Sequence, residues 1–409
     1  MCCRYSTYFL FFFLLAAAAC DSTDNIEPRY DRSFIKLYGG VYQDEAADFI
    51  AFDSGGFAIL GSTRPTIEIN TKDIILFITD SRGDIFVQKT YGDTAVDEEA
   101  VKIIQIPGYL FLFGYRPSRN ESCVYKINFN GDTIQTKAYP GYKLSDMVLS
   151  FDELIIGVTG RFGLPGNALM VKNYIDINSL EMSGIPIEPG EGYKIMRYNS
   201  DSAFYRILRS KPISLQKIEF DVISLTATDK SHYLTNPPFG ITDSGIEPID
   251  MWGEPNSFNW YYAGYSNPQD AGDTIPEGPI LISLNDFYNE VKKIYEGRAT
   301  KTVVLNDPDY SHIRPANLIK SPLGGLLLLG TEITEDGESD GIRLLKLTVD
   351  FTVEKSKSFG TGDVGDQAVK VEILPDGSVV FLATVNYQLE VEHTKIALFK
   401  LTPDLELDY

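Results

Sequence analysis

The segment Lys36–Thr63, KLYGGVYQDEAADFIAFDSGGFAILGST, and the segment Lys89–Arg116, KTYGDTAVDEEAVKIIQIPGYLFLFGYR, carry nearly the same text 53 residues apart. Self-similarity at such a period means that one supersecondary unit has been copied along the chain. Copies of one unit bury their apolar faces against each other, which removes most folds from consideration. Within each copy, Asp44–Phe52 (DEAADFIAF), Asp97–Ile106 (DEEAVKIIQI) and Asp366–Leu374 (DQAVKVEIL) align as a first strand. A turn leads to a second apolar run, seen as GFAILGST, YLFLFGYR, GLLLLGTE and SVVFLATV. A third run reads DIILFITD, CVYKINFN, IRLLKLTV and KIALFKLT, and a Gly-Asp hairpin signal precedes a fourth, IFVQKTYG or TIQTKAYP. Short β-favouring runs punctuated by Gly, Asn and Asp are strands and hairpins, so each copy is a four-stranded antiparallel meander.

The closing residues count the copies. Tyr38 to Tyr91 is 53 residues, Tyr91 to Tyr139 is 48, and Asp307 to Phe359 is 52. The 168 residues between Tyr139 and Asp307 hold room for three more units, with degenerate copies visible near Tyr193 and Trp252. A four-stranded unit of about 40–50 residues is the mark of a β-propeller. The sequence therefore predicts an all-β, seven-bladed β-propeller of four-stranded antiparallel blades over residues 33–409, with six or eight blades as alternatives. A β-solenoid or a pair of sandwiches accounts less well for the period. Either SFIKL (Ser33–Leu37) or the C-terminal LELDY supplies the strand that closes the ring.

The N-terminus, MCCRYSTYFLFFFLLAAAACDSTDN, places Arg4 before a short apolar stretch, four alanines and Cys20. That is the layout of a secretory signal peptide, and the apolar stretch is too short to span a bilayer. The small residues ending on a cysteine resemble the lipobox of bacterial lipoproteins, although Ala17 stands where that family usually has Leu. The resemblance implies cleavage before Cys20 and lipidation of its thiol. An ordinary signal peptide cut after Ala19 is the plainer alternative. Residues 1–19 are then the signal, and residues 20–32 a polar tether. The repeat text, YGG…D-A…GG-hhhGST…G, resembles propeller-like lipoproteins of Gram-negative bacteria, which implies a fold but no activity. Such a protein belongs to the cell envelope, with the outer membrane favoured over the inner and the leaflet open.

Charge limits the partners. The chain has a net charge of -21 and a pI of about 4.6, which disfavours nucleic acid and anionic lipid surfaces. Of four cysteines, Cys2 and Cys3 leave with the signal and Cys20 carries lipid. Cys123 alone remains, so the domain is held by its core and not by disulfides.

Most catalytic signatures are missing: there is no G-x-S-x-G, no phosphate-binding loop, no H-E-x-x-H and no C-x-x-C. His232, His312 and His393 fall in different units. Acids come nearer to a pattern. Asp44, Glu45, Asp97, Glu98, Asp146, Asp250 and Asp366 precede or begin the first strand of their units. A ring of carboxylates at one mouth could take Ca²⁺, or each could cap its strand turn; repetition in every unit favours capping. Glu332–Gly341, EITEDGESDG, reads as a solvated acidic turn. Arg64, Arg116, Arg161 and Arg209 each follow a second strand, and four consecutive blades could present them to a carboxylate or sulfate. The alternative is that each pairs with a neighbouring acid. In SFNWYYAGYS (Ser257–Ser266), Trp260 and Tyr262 align with the core positions Phe57 and Ile59, leaving Trp252 and Tyr265 as candidates for exposure. The NES at Asn120 matches a glycosylation acceptor by chance.

The expected molecule is a lipid-anchored, non-enzymatic binding or scaffolding propeller for an envelope protein or glycan, with no cofactor. The runner-up is a glycan hydrolase or lyase using two channel carboxylates.

Overall fold

Burial along the strands already dictates the architecture. The runs Phe57–Thr63 and Asp73–Thr79 are buried at nearly every position, whereas Ile85–Tyr91 alternates between exposed and half-buried. A strand covered on both faces must lie inside a sheet that is sandwiched between two others. The computed structural model describes residues 33–408 except for short internal stretches, the longest being 198–204, 234–245 and 267–275. It gives backbone alone for the strands between 205 and 246 and between 284 and 299.

Strand β1 (Phe34–Tyr38) stands first in the chain. Sheet 1 is β2–β5 (Asp44–Ala51, Phe57–Thr63, Asp73–Thr79, Ile85–Tyr91), and sheet 2 is β6–β9 (Glu99–Ile106, Tyr109–Arg116, Glu121–Ile127, Thr133–Pro140). Sheet 3 is β10–β14 (Tyr142–Leu149, Ile155–Phe162, Leu169–Asp176, Met182–Ser183, Glu188–Pro189), its outer edge made by two short strands. Sheet 4 is β15–β18 (Glu191–Arg197, Tyr205–Ser214, Lys217–Leu225, His232–Tyr233), and sheet 5 is β19–β22 (Ile246–Gly253, Asn259–Ser266, Gly278–Asn289, Ile294–Val304). Sheet 6 is β23–β26 (Ile313–Lys320, Leu326–Ile333, Ser339–Leu347, Val353–Phe359). Sheet 7 holds β27–β29 (Gln367–Ile373, Val379–Gln388, His393–Leu401), with β1 as its outermost strand. All pairings are antiparallel, so the chain is an all-β propeller of four-stranded blades. Six of these blades carry described side chains on both central strands. Sheet 4 repeats the strand order in its backbone, with side chains described on β15.

Packing follows the ring. Cores lie between neighbouring sheets: Phe49, Phe57, Phe77, Val380 and Leu382 join sheets 7 and 1, and Leu60, Leu76, Leu112 and Tyr125 join sheets 1 and 2. The ring is closed by the N-terminal strand. Residues Phe34 to Tyr38 of β1 pair with Lys400 to Ile396 of β29. The C-terminal stretch, described as far as Asp408, does not replace it but runs alongside. Ser33 Oγ donates to the Asp408 carbonyl (3.2 Å) and accepts the Asp408 N–H (2.7 Å).

Two recurring devices fix the blades. Every first strand breaks register at the same place: between Ala46 and Asp48, Ala100 and Lys102, Leu144 and Asp146, and likewise in the other four sheets. The bulge pushes the first strand towards the second, and in sheets 1, 2, 3, 5 and 6 a glycine faces it there (Gly61, Gly114, Gly160, Gly264, Gly330). A Cβ on Gly61 would collide with the Glu45 carbonyl and the Ile396 side chain. That is the physical content of the hydrophobic-run-then-glycine motif. At the rim, the closing tyrosines reach the next sheet: Tyr38 donates to the Gly83 carbonyl (2.9 Å), Tyr91 to Gly131 (2.8 Å) and Tyr139 to Leu180 (2.9 Å). Lysines two residues earlier pair in step, Lys36 with Asp84, Lys89 with Asp132 and Lys137 with Glu181.

Candidate functional site: the axial belt and the loop ends

The residue after each bulge points to the ring axis. In chain order these residues are Asp48, Lys102, Asp146, Lys194, Asp250, Asn317 and Lys370. Together with the backbone N–H groups beside them they link neighbouring sheets around the circle. Lys102 Nζ lies 2.6 Å from Asp146, Lys194 Nζ 2.9 Å from Asp250, and Lys370 Nζ 2.9 Å from Asp48. The intervening interfaces are bridged by backbone N–H groups. Ile103 donates to Asp48 (3.0 Å), Ile195 to Asp146 (3.0 Å), Leu318 to Asp250 (2.8 Å) and Val371 to Asn317 (2.9 Å). Every sheet-to-sheet interface therefore has at least one polar bridge at the axis. The three aspartates are buried. Burial alone would raise the Asp146 carboxyl, but Lys102 and Lys194 hold it below the usual carboxylate range. For Lys194, burial opposes the charge, yet Asp250 and Asp146 keep it well above the ordinary lysine value.

This belt corrects the expected ring of acids. Asp146 and Asp250 do not begin their strands; they stand at the bulge, equivalent to Asp48. The residues equivalent to Asp44, four before the bulge residue, are Glu98 and Asp366, so Asp97 is one place out of step. Asp44, Glu98 and Asp366 are all buried at the loop end of their sheets. Asp44 accepts the Gly40 N–H (2.8 Å); Asp366 accepts those of Thr361 (2.7 Å) and Asn386 (2.8 Å). Asp97 caps the preceding sheet instead, accepting the Lys72 N–H at 2.7 Å. Burial raises the Asp44 and Glu98 carboxyls; a hydrogen bond from Thr63 and then Lys395 partly offset it at Asp44, and Arg116 does so at Glu98. Among the described residues, no group of three or more His, Cys, Asp or Glu is arranged to hold a metal ion.

The arginine arc dissolves for a geometric reason. Counting from the residue opposite the bulge (Leu60, Phe113, Thr159, Leu208), Arg64 is four places on, Arg116 three, Arg161 two and Arg209 one. Each step of one residue turns the side chain to the other face of a strand. Arg116 is spent on Glu98, Glu121 (3.0 Å) and the Tyr125 hydroxyl (3.0 Å), Arg161 on Glu191 (3.3 Å), and Arg64 donates to the Gln43 side chain (2.9 Å). The Arg209 side chain and Cys20 lie outside what is described. Trp252 lies at the opposite end of its sheet from these loops, packed on Tyr261 (6.1 Å between rings) with Lys320 over it. Trp260 and Tyr262 are core, and the Tyr265 hydroxyl bonds to Glu277 (3.0 Å). In the acidic turn, Glu332 is buried and bound by Arg343 and Ser358. His312 lies 3.5 Å from it, and His232 and His393 each begin a strand. Asn120 sits in the left-handed region, holding a turn through Pro117 and Tyr115.

A cleft of about 630 Å³ opens between sheets 1 and 2, at the end of the strand turns and hairpins. Phe52, Phe86 and Phe129 line it with Asp53, Asp80 and Gln105. The Phe52 and Phe129 rings meet edge to face, 5.7 Å apart, and Phe86 is 64% exposed. Nothing in the repeat pattern marked this place, because it is assembled from the turns of two units.

No family model matches the sequence, and no curated protein matches it. Solved structures similar in fold include YCF48 bound to a D1 peptide (TM-score 0.49, 8% identity, 91% of this chain and 96% of that one). Another is the β-propeller domain of the Trilobed protease from Pyrococcus furiosus (TM-score 0.49, 10% identity, 89% and 96%). A third is a prolyl endopeptidase (TM-score 0.48, 11% identity), where the match takes in 95% of this chain and 53% of the other. The chain thus spans about half the length of that enzyme.

Proposed function

We propose that the protein is a binding propeller of the cell envelope, anchored by lipid on Cys20, that scaffolds a partner protein without catalysing a reaction. Sheet 4 completes it as a seventh blade. The observation that supports this reading best is the commitment of the axial carboxylates. A glycan hydrolase needs one carboxylic acid held protonated and one carboxylate free. Asp48, Asp146 and Asp250 are each engaged by a lysine and a backbone N–H, and the Asp146 carboxyl is held below the usual carboxylate range. Acid–base chemistry at the axis would have to break the ring that holds the blades.

The open cleft between sheets 1 and 2 is the place for a partner. Aromatic faces next to carboxylates suit a cationic side chain, by cation–π attraction and ion pairing together. A net charge of -21 steers such a partner inwards. The partner is thus a protein segment carrying Arg or Lys. Calorimetric titration of the full chain with a short Arg/Lys-bearing peptide tests this. Binding that weakens with salt, and is lost in Asp53→Asn and Phe86→Ala, supports the reading. Salt-insensitive binding of a neutral oligosaccharide in its place would transfer the site to glycans, and turnover of that sugar would overturn the non-catalytic role.

A further inference from the structure

The order of residues in the axial belt contains a parity. From Asp48 to Asp250 the signs alternate; then comes the neutral Asn317, then Lys370, which meets Asp48 again. A ring of alternating charges closes without like neighbours only if its number of members is even. An odd ring must contain one neutral member. We infer that Asn317 is that member, and that the belt uses it to specify a ring of seven blades. Six blades would need no neutral position, and an eighth would need a further charge.

The amide is suited to the place because two different jobs meet there. In the belt, each Asp accepts the backbone N–H at the first strand of the following sheet, while each Lys donates to a neighbouring Asp. Asn317 does both. Its Nδ2 donates to Asp250 Oδ2 at 2.7 Å, and its Oδ1 accepts the Val371 N–H at 2.9 Å. Lysine at this position would abandon Val371, and aspartate would set a second carboxylate against Asp250. Asn317 is 9% exposed and Asp250 1%, so water cannot screen that repulsion.

If the spacer serves parity, it can be moved. Three isosteric variants separate this role from mere fit: Asn317→Asp, Asp250→Asn and the double variant, which exchanges the two residues. In the exchanged belt the neutral amide follows Lys194 and the carboxylate stands next to Lys370, so again no like charges are neighbours. Asn317→Asp is expected to lower the folding equilibrium constant by on the order of a hundredfold at neutral pH, the scale of an uncompensated buried charge. Asp250→Asn lowers it too, since Lys194 loses a partner. Equilibrium denaturation of the double variant should then recover at least tenfold relative to Asn317→Asp, against the further loss that additivity requires. Folding of the double variant where Asn317→Asp fails to fold is the same result in stronger form. Additive losses, or failure of all three variants to fold, would overturn the inference and leave Asn317 as a residue of shape alone.

Discussion

Consider Lys102→Met, which keeps the apolar stem of the side chain and removes the charge that faces Asp146 across sheets 2 and 3. The Lys102–Asp146 contact is 2.6 Å, with the Asp146 side chain 5% exposed and that of Lys102 22%. Removing one partner of a buried pair costs about 3–5 kcal/mol. The lower end applies, because Lys194 and the Ile195 N–H still serve Asp146. Unfolding entropy of about 2.1 cal/mol/K per residue over the roughly 310 described residues gives about 0.65 kcal/mol/K, so a 3 kcal/mol loss lowers Tm by about 5 °C. The pH dependence has a definite sign. The folded Asp146 carboxyl lies below its ordinary value, so its contribution is complete above the unfolded pKa of about 3.9 and is lost as pH falls through the folded one. The gap between wild type and Lys102→Met is therefore widest at neutral pH and closes below about pH 4. Scanning calorimetry between pH 3 and pH 7 reads both, with Lys102→Met/Asp146→Asn expected to recover part of the loss. A Tm within 1 °C of wild type at pH 7, or a gap unchanged by acid, would refute the coupling.

Three further outcomes follow from the fold. Tyr91→Phe leaves the buried Gly131 carbonyl without its donor, at a cost of about 1–2 kcal/mol, and Tyr139→Phe should add independently because it serves a different interface; denaturant midpoints check both. Gly61→Ala drives a methyl into the Glu45 carbonyl and Ile396, so its loss of stability should exceed that of Gly108→Ala, where a Cβ meets nothing within 4 Å although both the turn and φ of +85° resist it; comparing the two Tm shifts separates collision from backbone strain. The Cys123 thiol, 2% exposed, is pushed up to about 12 by burial and then by Glu98, so it should resist alkylation at pH 8 until the sheet unfolds. Peptide mass spectrometry after iodoacetamide shows whether it does.

The repeat was legible because its signals are backbone demands. A glycine facing a bulge, a tyrosine reaching the next hairpin and a Gly-Asp turn look the same in every copy, since each solves the same steric problem. The belt was not legible, because its positions carry opposite charges in successive units and so read as variation. A signal was present nonetheless: Asp44 and Asp48, Glu98 and Lys102, Asp366 and Lys370 keep one four-residue spacing across the bulge. Aligning Asp97 in place of Glu98 hid it, and a slip of one residue exchanges the two faces of a strand. The same slip made an arc of four arginines that occupy four different register positions. The closing strand was undecidable from sequence because SFIKL and LELDY both fit an edge, and only the pairing with β29 separates them.

The closure between β1 and β29 sets the order in which the molecule can be built. Ser33 and Asp408, which bond to each other, are 375 residues apart. Bringing such ends together costs about 5 kcal/mol of chain entropy by the logarithmic rule, whereas each hairpin closes over a few residues. At roughly 5–20 residues per second, a ribosome needs tens of seconds or more to make the partner of β1 after β1 itself. Through that interval the blades can form one after another while the first strand waits, with Phe34 and Tyr38 uncovered and its edge unpaired. Strand β1 is therefore the segment a chaperone would have to shield until β29 has been made.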